Sequence, residues 1–534
     1  MKPFSTIALV LALSAAAQAS NNILLIIADD YGTDASSLYN TSPGADLPPT
    51  PNIAALATNG VRFSNAYAYP VCSPTRSAML TGRYGFRTGT GNVISPPSNN
   101  LLKASEFTLP DAFAANAVLG YQLKHFGKWH LTGTGGASAN LGPCTIGGWP
   151  AFAGSLYGEV RLNGVITGAT YTNWTKVVSN GITATTSTAS TYATTDVVND
   201  AVSWIQTQTT ANKPWFAWVA FNAPHTPFHL PSPATLCPHY TSLPGTTAHI
   251  NANPRSYYNA AVEALDTEIG RLLASVDLAK TTVIFVGDNG TPGQVLQTPF
   301  PSGHGKDTLY EGGIRVPLII RGPNVVSPNR TADGFTHIVD LYATILELAG
   351  ISAANTVAAN IILDSRSLIP VLQNQAAPPT RLYTEEFDTN DPALGGRVLR
   401  DDRYKIIRKG TGIDEFYDLQ ADPYESTNLL AGGVSSMTAT RQSYYYRLRF
   451  DLGRYTTATT PATSNPTLQS GKFSVTVAQN TGATQTMYRC TDLTNGFWAP
   501  TTGATSSLSG SNLTFSDPAP PAGSAFYSIL SETP

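Results

Sequence analysis

The feature that most constrains this chain is a short apolar run that stops on two carboxylates, Asn22-Ile23-Leu24-Leu25-Ile26-Ile27-Ala28-Asp29-Asp30. A run with no polar alternation reads as a strand covered on both faces, the environment of a parallel sheet between helical layers. The pattern returns far downstream in Thr282-Val283-Ile284-Phe285-Val286-Gly287-Asp288-Asn289-Gly290. Ligands of open α/β sheets sit beyond the carboxyl ends of the strands, so two such strands can bring Asp29, Asp30, Asp288 and Asn289 to one place. Taken singly, each acidic end is more often a turn or a helix cap. Taken jointly, an oxygen-only cluster of this size points to a hard cation, Ca²⁺ or Mg²⁺, and the lack of histidine in either segment argues against a zinc pair.

Further elements fit the same sheet. Val61–Tyr67 reads as a strand, and so does Pro214–Phe221, which runs into Asn222-Ala223-Pro224-His225-Thr226-Pro227. Thr50-Pro51-Asn52-Ile53 and Thr108-Leu109-Pro110-Asp111 open capped helices with proline near the start. Tyr121–Phe126 is extended and ends in Gly127-Lys128-Trp129-His130; a Lys and a His two apart on an extended segment can face one anion, or be a surface Lys and a packed His. Residues 257–273 have helical spacing, with their acids assigned to a solvated face and given no catalytic role, and 336–350 form a helix closing at Gly350.

The expected fold class is therefore α/β, a large mostly parallel sheet flanked by helices. A smaller C-terminal antiparallel α+β subdomain is expected around Arg397–Ile407 and Glu415–Leu419. An appended all-β module follows, with strands at Phe473–Val477, Leu513–Phe515 and Phe526-Tyr527 and a tight turn at Asn495-Gly496.

Between the first two strands and the rest lies Tyr69-Pro70-Val71-Cys72-Ser73-Pro74-Thr75-Arg76-Ser77-Ala78-Met79-Leu80-Thr81-Gly82-Arg83. Pro74 suits a first helical turn, where its missing N–H is not needed, so Cys72 sits at or just before a helix start. Backbone donors and the positive end of the helix dipole then face any anion that meets Cys72, and Arg76 adds a fixed charge one turn on. A lone cysteine is more often a buried structural residue. Here the chain resembles the sulfatase family, whose Cys-x-Pro-x-Arg signature is oxidised after translation to Cα-formylglycine. Gly127-Lys128-Trp129-His130, the segment around His225, and Gly305-Lys306 with Tyr310-Glu311-Gly312-Gly313-Ile314-Arg315-Val316-Pro317 also match that family. Asp-Asp near the N-terminus and Asp-Asn late are the family's metal pattern, generally for calcium. Asp422-Pro423-Tyr424-Glu425-Ser426-Thr427-Asn428-Leu429 resembles its closing motif, so the resemblance runs from about Asn22 to Leu430. It fades across 132–212 except around Gly147–Gly158, and this stretch is taken as a variable insertion bearing on substrate choice, with a returning helix at Val197–Ile205. His304 has no place in the family pattern.

The resemblance implies hydrolysis of a sulfate ester of a sulfated carbohydrate or an aryl alcohol. It implies one Ca²⁺, with Mg²⁺ as second choice, held by Asp29, Asp30, Asp288, Asn289 and the modified residue 72. It gives Lys128 and Lys306 the sulfate oxygens, His225 the leaving-group proton, His130 the base that frees sulfate, and Arg76 the orientation of residue 72. It also implies a formylglycine-generating maturation enzyme as a partner. A phosphomonoesterase or phosphonate hydrolase of the same superfamily is the alternative, but dizinc phosphatases of that fold use histidine ligands and an unmodified Ser or Thr. A non-catalytic glycan-binding protein is a third reading, opposed by the filled catalytic positions.

The 534 residues exceed what one core usually spans. The expected division is a signal peptide at 1–19, an α/β catalytic domain at 20–380, its C-terminal subdomain at 381–455, a Thr/Ser/Pro linker at 456–470 and the β module at 471–534, whose role could be carbohydrate binding, anchoring or structure. Lys2, the apolar Ile7–Leu13 and Ala17-Gln18-Ala19 form a Sec-type signal, which predicts a periplasmic or extracellular protein. Charged residues make up only 13% of the chain, about half the ~25% usual for globular domains, which fits export. A net charge of -3 gives no reason to expect nucleic acid, and no later apolar run is long enough to span a bilayer. With Cys72 converted, three cysteines remain for at most one disulfide, and one candidate pairing is Cys144–Cys237.

Overall fold

The computed structural model describes residues 22–94, 101–133, 136–375, 382–386, 395–456, 467–469, 472–479, 484–491, 499–521 and 525–532. The expected signal peptide, most of the linker and the Asn495-Gly496 turn lie outside them. Ten strands form the main sheet: β1 (Asn22–Ala28), β2 (Val61–Tyr67), β3 (Gln122–Lys128), β4 (Phe152–Ser155), β5 (Trp174–Ser179), β6 (Ala184–Ala189), β7 (Trp215–Ala220), β8 (Thr281–Gly287), β9 (Leu318–Arg321) and β10 (Arg330–His337). Their order is β10-β2-β9-β8-β1-β7-β3-β4-β5-β6. The five central strands β8, β1, β7, β3 and β4 run parallel, β9 is antiparallel to both its neighbours, and β5 and β6 fold back at the far edge.

The central strand explains the unbroken apolar run. Ile23, Leu25 and Ile27 of β1 point into one helical layer with Met79, Leu109 and Ile345, while Leu24 and Ile26 point into the other with Val197, Val262 and Leu265. Burial on both faces leaves no position for a polar residue until the strand ends. The helices that supply these layers are α1 (Pro51–Thr58), α2 (Cys72–Thr81), α3 (Leu109–Ala115), α4 (Ala193–Thr210), α5 (Pro254–Leu273) and α6 (Asp340–Leu348).

Several expectations change at the level of elements. α3 is capped as expected, by Thr108 in a reciprocal pair with Asp111, but Thr50 makes no side-chain cap for α1. That role falls to Asp266, whose carboxylate accepts the Asn52 and Ile53 backbone N–H groups at 3.1 and 2.8 Å. The acids of α5 are therefore not a solvated face: Glu263, Asp266 and Glu268 are buried, with partners in His239, α1 and Thr195. Helical spacing alone cannot tell a solvated acid from one recruited by a neighbouring element. Thr336 and His337 end β10, and the helix begins at Asp340. The insertion adds β4, β5 and β6 to the main sheet, so it extends the scaffold and does not merely decorate it. Cys144 and Cys237 are both free; Cys144 bonds Ser179, whereas Cys237 is buried with Leu236 and Ala260 in another cluster.

A second sheet, β11 (Leu382–Glu386), β12 (Gly396–Arg400), β13 (Tyr404–Lys409) and β14 (Asp414–Asp418), is antiparallel in chain order. One face packs Val398, Ile407 and Tyr417 on Tyr67 and Phe335 of the main sheet, and the other packs Leu399, Ile406 and Phe416 on α7 (Ala439–Thr456). Beyond α7, two small antiparallel sheets enclose Val475, Val477, Met487, Phe515 and Ile529. Among the described residues no helix is long and apolar enough to cross a membrane.

Candidate active site

Strand register builds the acidic cluster. Ala28 is level with Gly287 in the β1–β8 pair, which sets Asp29 beside Asp288 and Asp30 beside Asn289 as the two chains leave the sheet. The Asp30 N–H donates to Asp288 Oδ1 at 3.0 Å, and Asn289 Nδ2 donates to Asp30 Oδ1 at 2.7 Å. Asp30 has φ 65°, a left-handed conformation that a non-glycine residue rarely adopts and that turns its carboxylate back towards the crevice.

Cys72 enters from the other side. It is the first residue of α2, with Val71 extended as the N-cap and Gly82 left-handed at the C-cap. Pro74 falls in the first turn as expected, and Arg76 follows one turn later. The Arg76 guanidinium bonds Asp288 Oδ2 at 2.7 Å and the Lys128 carbonyl at 3.0 Å, tying α2 to the ends of β8 and β3.

Lys128 and His130 both reach the crevice, but not by simple strand alternation. Gly127, with φ 85°, lets β3 approach β7 where a Cβ would lie 1.8 Å from the Ala220 carbonyl oxygen. His130 is itself left-handed, with φ 57°. Lys128 pairs with Asp29, and His130 Nδ1 lies 3.3 Å from Cys72 Sγ. His130 Nε2 is 3.1 Å from the Ile94 carbonyl oxygen. A carbonyl only accepts, so Nε2 carries the hydrogen and Nδ1 turns its lone pair to residue 72. Burial, then the Lys128 charge, holds the imidazole far below its ordinary pKa and hence neutral.

Lys306 closes the ring with Nζ 2.7 Å from Asp30 Oδ1, and His225 Nε2 lies 3.7 Å from Asp30 Oδ2. His225 Nδ1 sits 2.9 Å from the Thr226 carbonyl oxygen, so that nitrogen carries hydrogen and Nε2 faces the crevice. Burial lowers His225 to about 4, with Asp30 opposing. Burial raises Asp29 well above the carboxylate range and Asp288 adds to it, whereas in Asp30 the burial effect is outweighed by Lys306 and His225 and the pKa falls. Burial pushes the Cys72 thiol up to about 11 against the pull of Lys128 and Lys306. An unmodified thiol so held is protonated and a poor nucleophile.

All ten residues singled out in the sequence thus meet at the carboxyl ends of β1, β3, β7 and β8. Asp29, Cys72 and Asp288 offer ligand atoms within 4.8 Å of one another, and so do Asp29, Asp30 and His225. The buried Asp29 Oδ1 and Asn289 Oδ1 accept no hydrogen bond among the described residues, so two oxygens in the cluster are left for a cation. The donor set fits Ca²⁺ or Mg²⁺.

Three supporting residues escaped the sequence reading. Ser73 Oγ donates to the His130 carbonyl at 3.0 Å and accepts the Ile94 N–H at 3.1 Å, fixing the base; its place inside the Cys72 motif was a usable signal. Tyr258 donates to the Asp30 carbonyl at 2.8 Å. The Tyr171 hydroxyl lies 2.7 Å from the Asn222 carbonyl oxygen and 2.8 Å from that of His225, and nothing in the insertion's sequence announced it. His304, unplaced by motif, stacks on Tyr310 with centroids 3.7 Å apart, a packing role.

Known proteins show the same arrangement of chain. A family model described as Sulfatase matches residues 21–351, and one described as N-sulphoglucosamine sulphohydrolase, C-terminal, matches 303–446. A sulfatase of Formosa agariphila is 29% identical over 497 residues, covering 78% of this chain and 86% of the relative. Arylsulfatase A of Bos taurus is 28% identical over 503 residues, covering 84% and 92%. Arylsulfatase J of Mus musculus is 29% identical over 342 residues, covering 61% of this chain and 52% of the relative. A protein solved in complex with its substrate D-glucosamine-2-N,6-O-disulfate superposes with TM-score 0.60 at 22% identity, over 82% of this chain and 97% of that one.

Proposed function

The chain belongs to the sulfatase family of the alkaline-phosphatase-like superfamily and is a sulfuric ester hydrolase, and on that premise we propose that it is exported and removes sulfate from a sulfated carbohydrate by way of a formylglycine made from Cys72. The observation that carries this reading is the convergence, around one buried cysteine at a helix N-terminus, of three carboxylates, an amide oxygen, two lysines and two histidines. The high pKa of the thiol supports conversion of Cys72 by a maturation enzyme, because the cysteine itself is a poor nucleophile there. A carbohydrate is supported by the match to an N-sulphoglucosamine sulphohydrolase C-terminal region and by the sugar disulfate bound to a protein of the same fold. Aryl sulfates are simpler esters for the same chemistry.

Asp29, Asp30, Asp288, Asn289 and residue 72 would hold Ca²⁺, or Mg²⁺, which would supply positive charge beside the sulfate oxygens and acidify a hydroxyl on residue 72. The hydrated aldehyde would supply two hydroxyls on one carbon, one to attack sulfur and one to set sulfate free. The chain's own residues do the rest. Lys128 and Lys306, each paired with a carboxylate, present ammonium groups to the sulfate oxygens and stabilise charge as the S–O bond breaks. His225 turns the Nε2 lone pair to the crevice, takes up a proton there from water and passes it to the departing alcohol oxygen. His130 Nδ1, unprotonated and 3.3 Å from Sγ, takes the proton from the second hydroxyl of residue 72. Arg76 holds Asp288 and the end of β3 in place around them.

The test is sulfate release from a panel of sulfated glycans and aryl sulfates beside the matching aryl phosphates. Sulfate release with slower phosphate turnover is expected. Faster phosphate turnover would overturn the assignment, and binding of sulfated glycan without any release would make the protein a lectin.

A further inference from the structure

Ser73, the second residue of α2, is fully buried and uses its hydroxyl twice. Its Oγ donates to the His130 carbonyl oxygen at 3.0 Å and accepts the Ile94 N–H at 3.1 Å. Neither direction can be reversed, because a carbonyl oxygen only accepts and a backbone N–H only donates. The Ile94 carbonyl oxygen in turn lies 3.1 Å from His130 Nε2. These three contacts close a loop, from the His130 ring to Ile94, from Ile94 to Ser73, and from Ser73 back to the His130 main chain.

The loop acts on a residue that is already confined. His130 has φ 57°, and its ring lies so close to Gly158 that a Cβ there would come within 2.6 Å of Cε1. Its Nδ1 is 3.3 Å from Cys72 Sγ. The two ring nitrogens are not equivalent, and the partner of one decides the state of the other. With hydrogen on Nε2, Nδ1 presents a lone pair to residue 72; with hydrogen on Nδ1, that nitrogen accepts nothing. The Nε2 hydrogen needs the Ile94 carbonyl oxygen in place. Ile94 packs its side chain in the apolar core, and its backbone N–H is anchored on Ser73.

From this closed loop we propose that Ser73 is a positioning residue for His130, keeping the ring hydrogen on Nε2 and so keeping Nδ1 a proton acceptor for residue 72. The inference rests on the sulfatase reading above, which gives His130 the step that frees sulfate. In that step the hydroxyl proton passes to Nδ1, the electron pair it leaves forms the carbonyl bond, and the bond from that carbon to the sulfate oxygen breaks with its pair on sulfate. Departure of the alcohol comes earlier and relies on His225, not on Nδ1. Loss of the Ser73 hydroxyl therefore slows the release of sulfate and spares the departure of the alcohol.

Two measurements on Ser73→Ala test this. The first is an NMR spectrum of ¹⁵N-labelled imidazoles in protein whose residue 72 is still the thiol, with His130 identified by the signals lost in His130→Gln. The wild type should carry hydrogen on Nε2 of His130, and the variant should show part or all of it moved to Nδ1. Hydrogen on Nδ1 in the wild type overturns the inference. So does an unchanged tautomer in a variant whose thermal unfolding shows an intact fold, and neither result depends on turnover. The second follows p-nitrophenyl sulfate in the matured enzyme, with rates taken per aldehyde as counted with a hydrazide. Ser73→Ala should lose about tenfold in kcat, the factor that 1.4 kcal/mol gives, while the first equivalent of p-nitrophenol appears at the wild-type rate. A first turnover slowed by the same factor as kcat overturns the inference. No turnover by the wild type, with the tautomer shift present, overturns the proposed function instead.

Discussion

At the scale of single residues, the chemistry turns on what occupies position 72. A serine there has one hydroxyl and escapes cysteine oxidation, so Cys72→Ser should release at most one equivalent of alcohol per enzyme and then stop. The wild type should yield a peptide around Cys72 that has lost its sulfur and reacts with a hydrazide. An intact thiol in fully active protein, found by mass spectrometry, would refute the formylglycine assignment. The second residue to test is Asp288, which is bonded at once by Arg76 and the Asp30 backbone. Asp288→Ala removes a cation ligand and frees Arg76 inside the cluster. Activity should fall by more than the ~100-fold typical of the outer partners of a metal site. Elemental analysis should find one equivalent of calcium or magnesium in the wild type and less in the variant; stoichiometric zinc in active protein would contradict the oxygen-ligand assignment.

At the scale of elements, each site residue is aimed by a contact between segments distant in sequence. The loop after β7 carries His225, yet Tyr171, from the insertion between β4 and β5, holds its carbonyl groups. Tyr171→Phe deletes one hydroxyl and should cost about 0.5–1.5 kcal/mol of positioning, a two- to tenfold fall in kcat. An ester with a good leaving group needs little help from His225, so p-nitrophenyl sulfate should be affected less than an alkyl sulfate. Equal effects on both esters would mean that Tyr171 acts only on stability. Asp266 shows the same logic away from the site. It caps α1 from α5, where Thr50 was the local candidate, and so makes an acid on a helical face a buried structural group.

At the scale of the whole molecule, the site belongs to the main sheet and the terminal β sheets lie on α7. Phe450 of α7 packs against Tyr488 with ring centroids 5.1 Å apart and planes tilted by 54°, and both are buried. We propose that the region after about Thr456 is a separate module, dispensable for chemistry. A chain ending near Arg454 should keep its kcat on p-nitrophenyl sulfate, and it should unfold at a lower temperature because truncation exposes Phe450. Loss of turnover in a folded truncation would place the module in the active site.

The division between what was legible in residues and what was not follows from the range of the forces involved. Strands buried on both faces, the helix start at Cys72 and the reciprocal cap of α3 are local or one-dimensional patterns, written where they act. The Asp-Asp and Asp-Asn strand ends were legible as one cluster because parallel register aligns equivalent positions, Ala28 with Gly287, without further information. The tautomer of His130 was not legible, since it depends on the Ile94 carbonyl oxygen, 36 residues back, that the fold brings to Nε2. Nor were the burial of Asp266 or the Tyr171 contact. These are properties of surfaces brought together from several segments. The sequence by itself determined which groups could do chemistry and on which sheet; only the tertiary structure decided which atoms face residue 72, because hydrogen bonds act over about 3 Å and their partners are separated by tens to hundreds of residues.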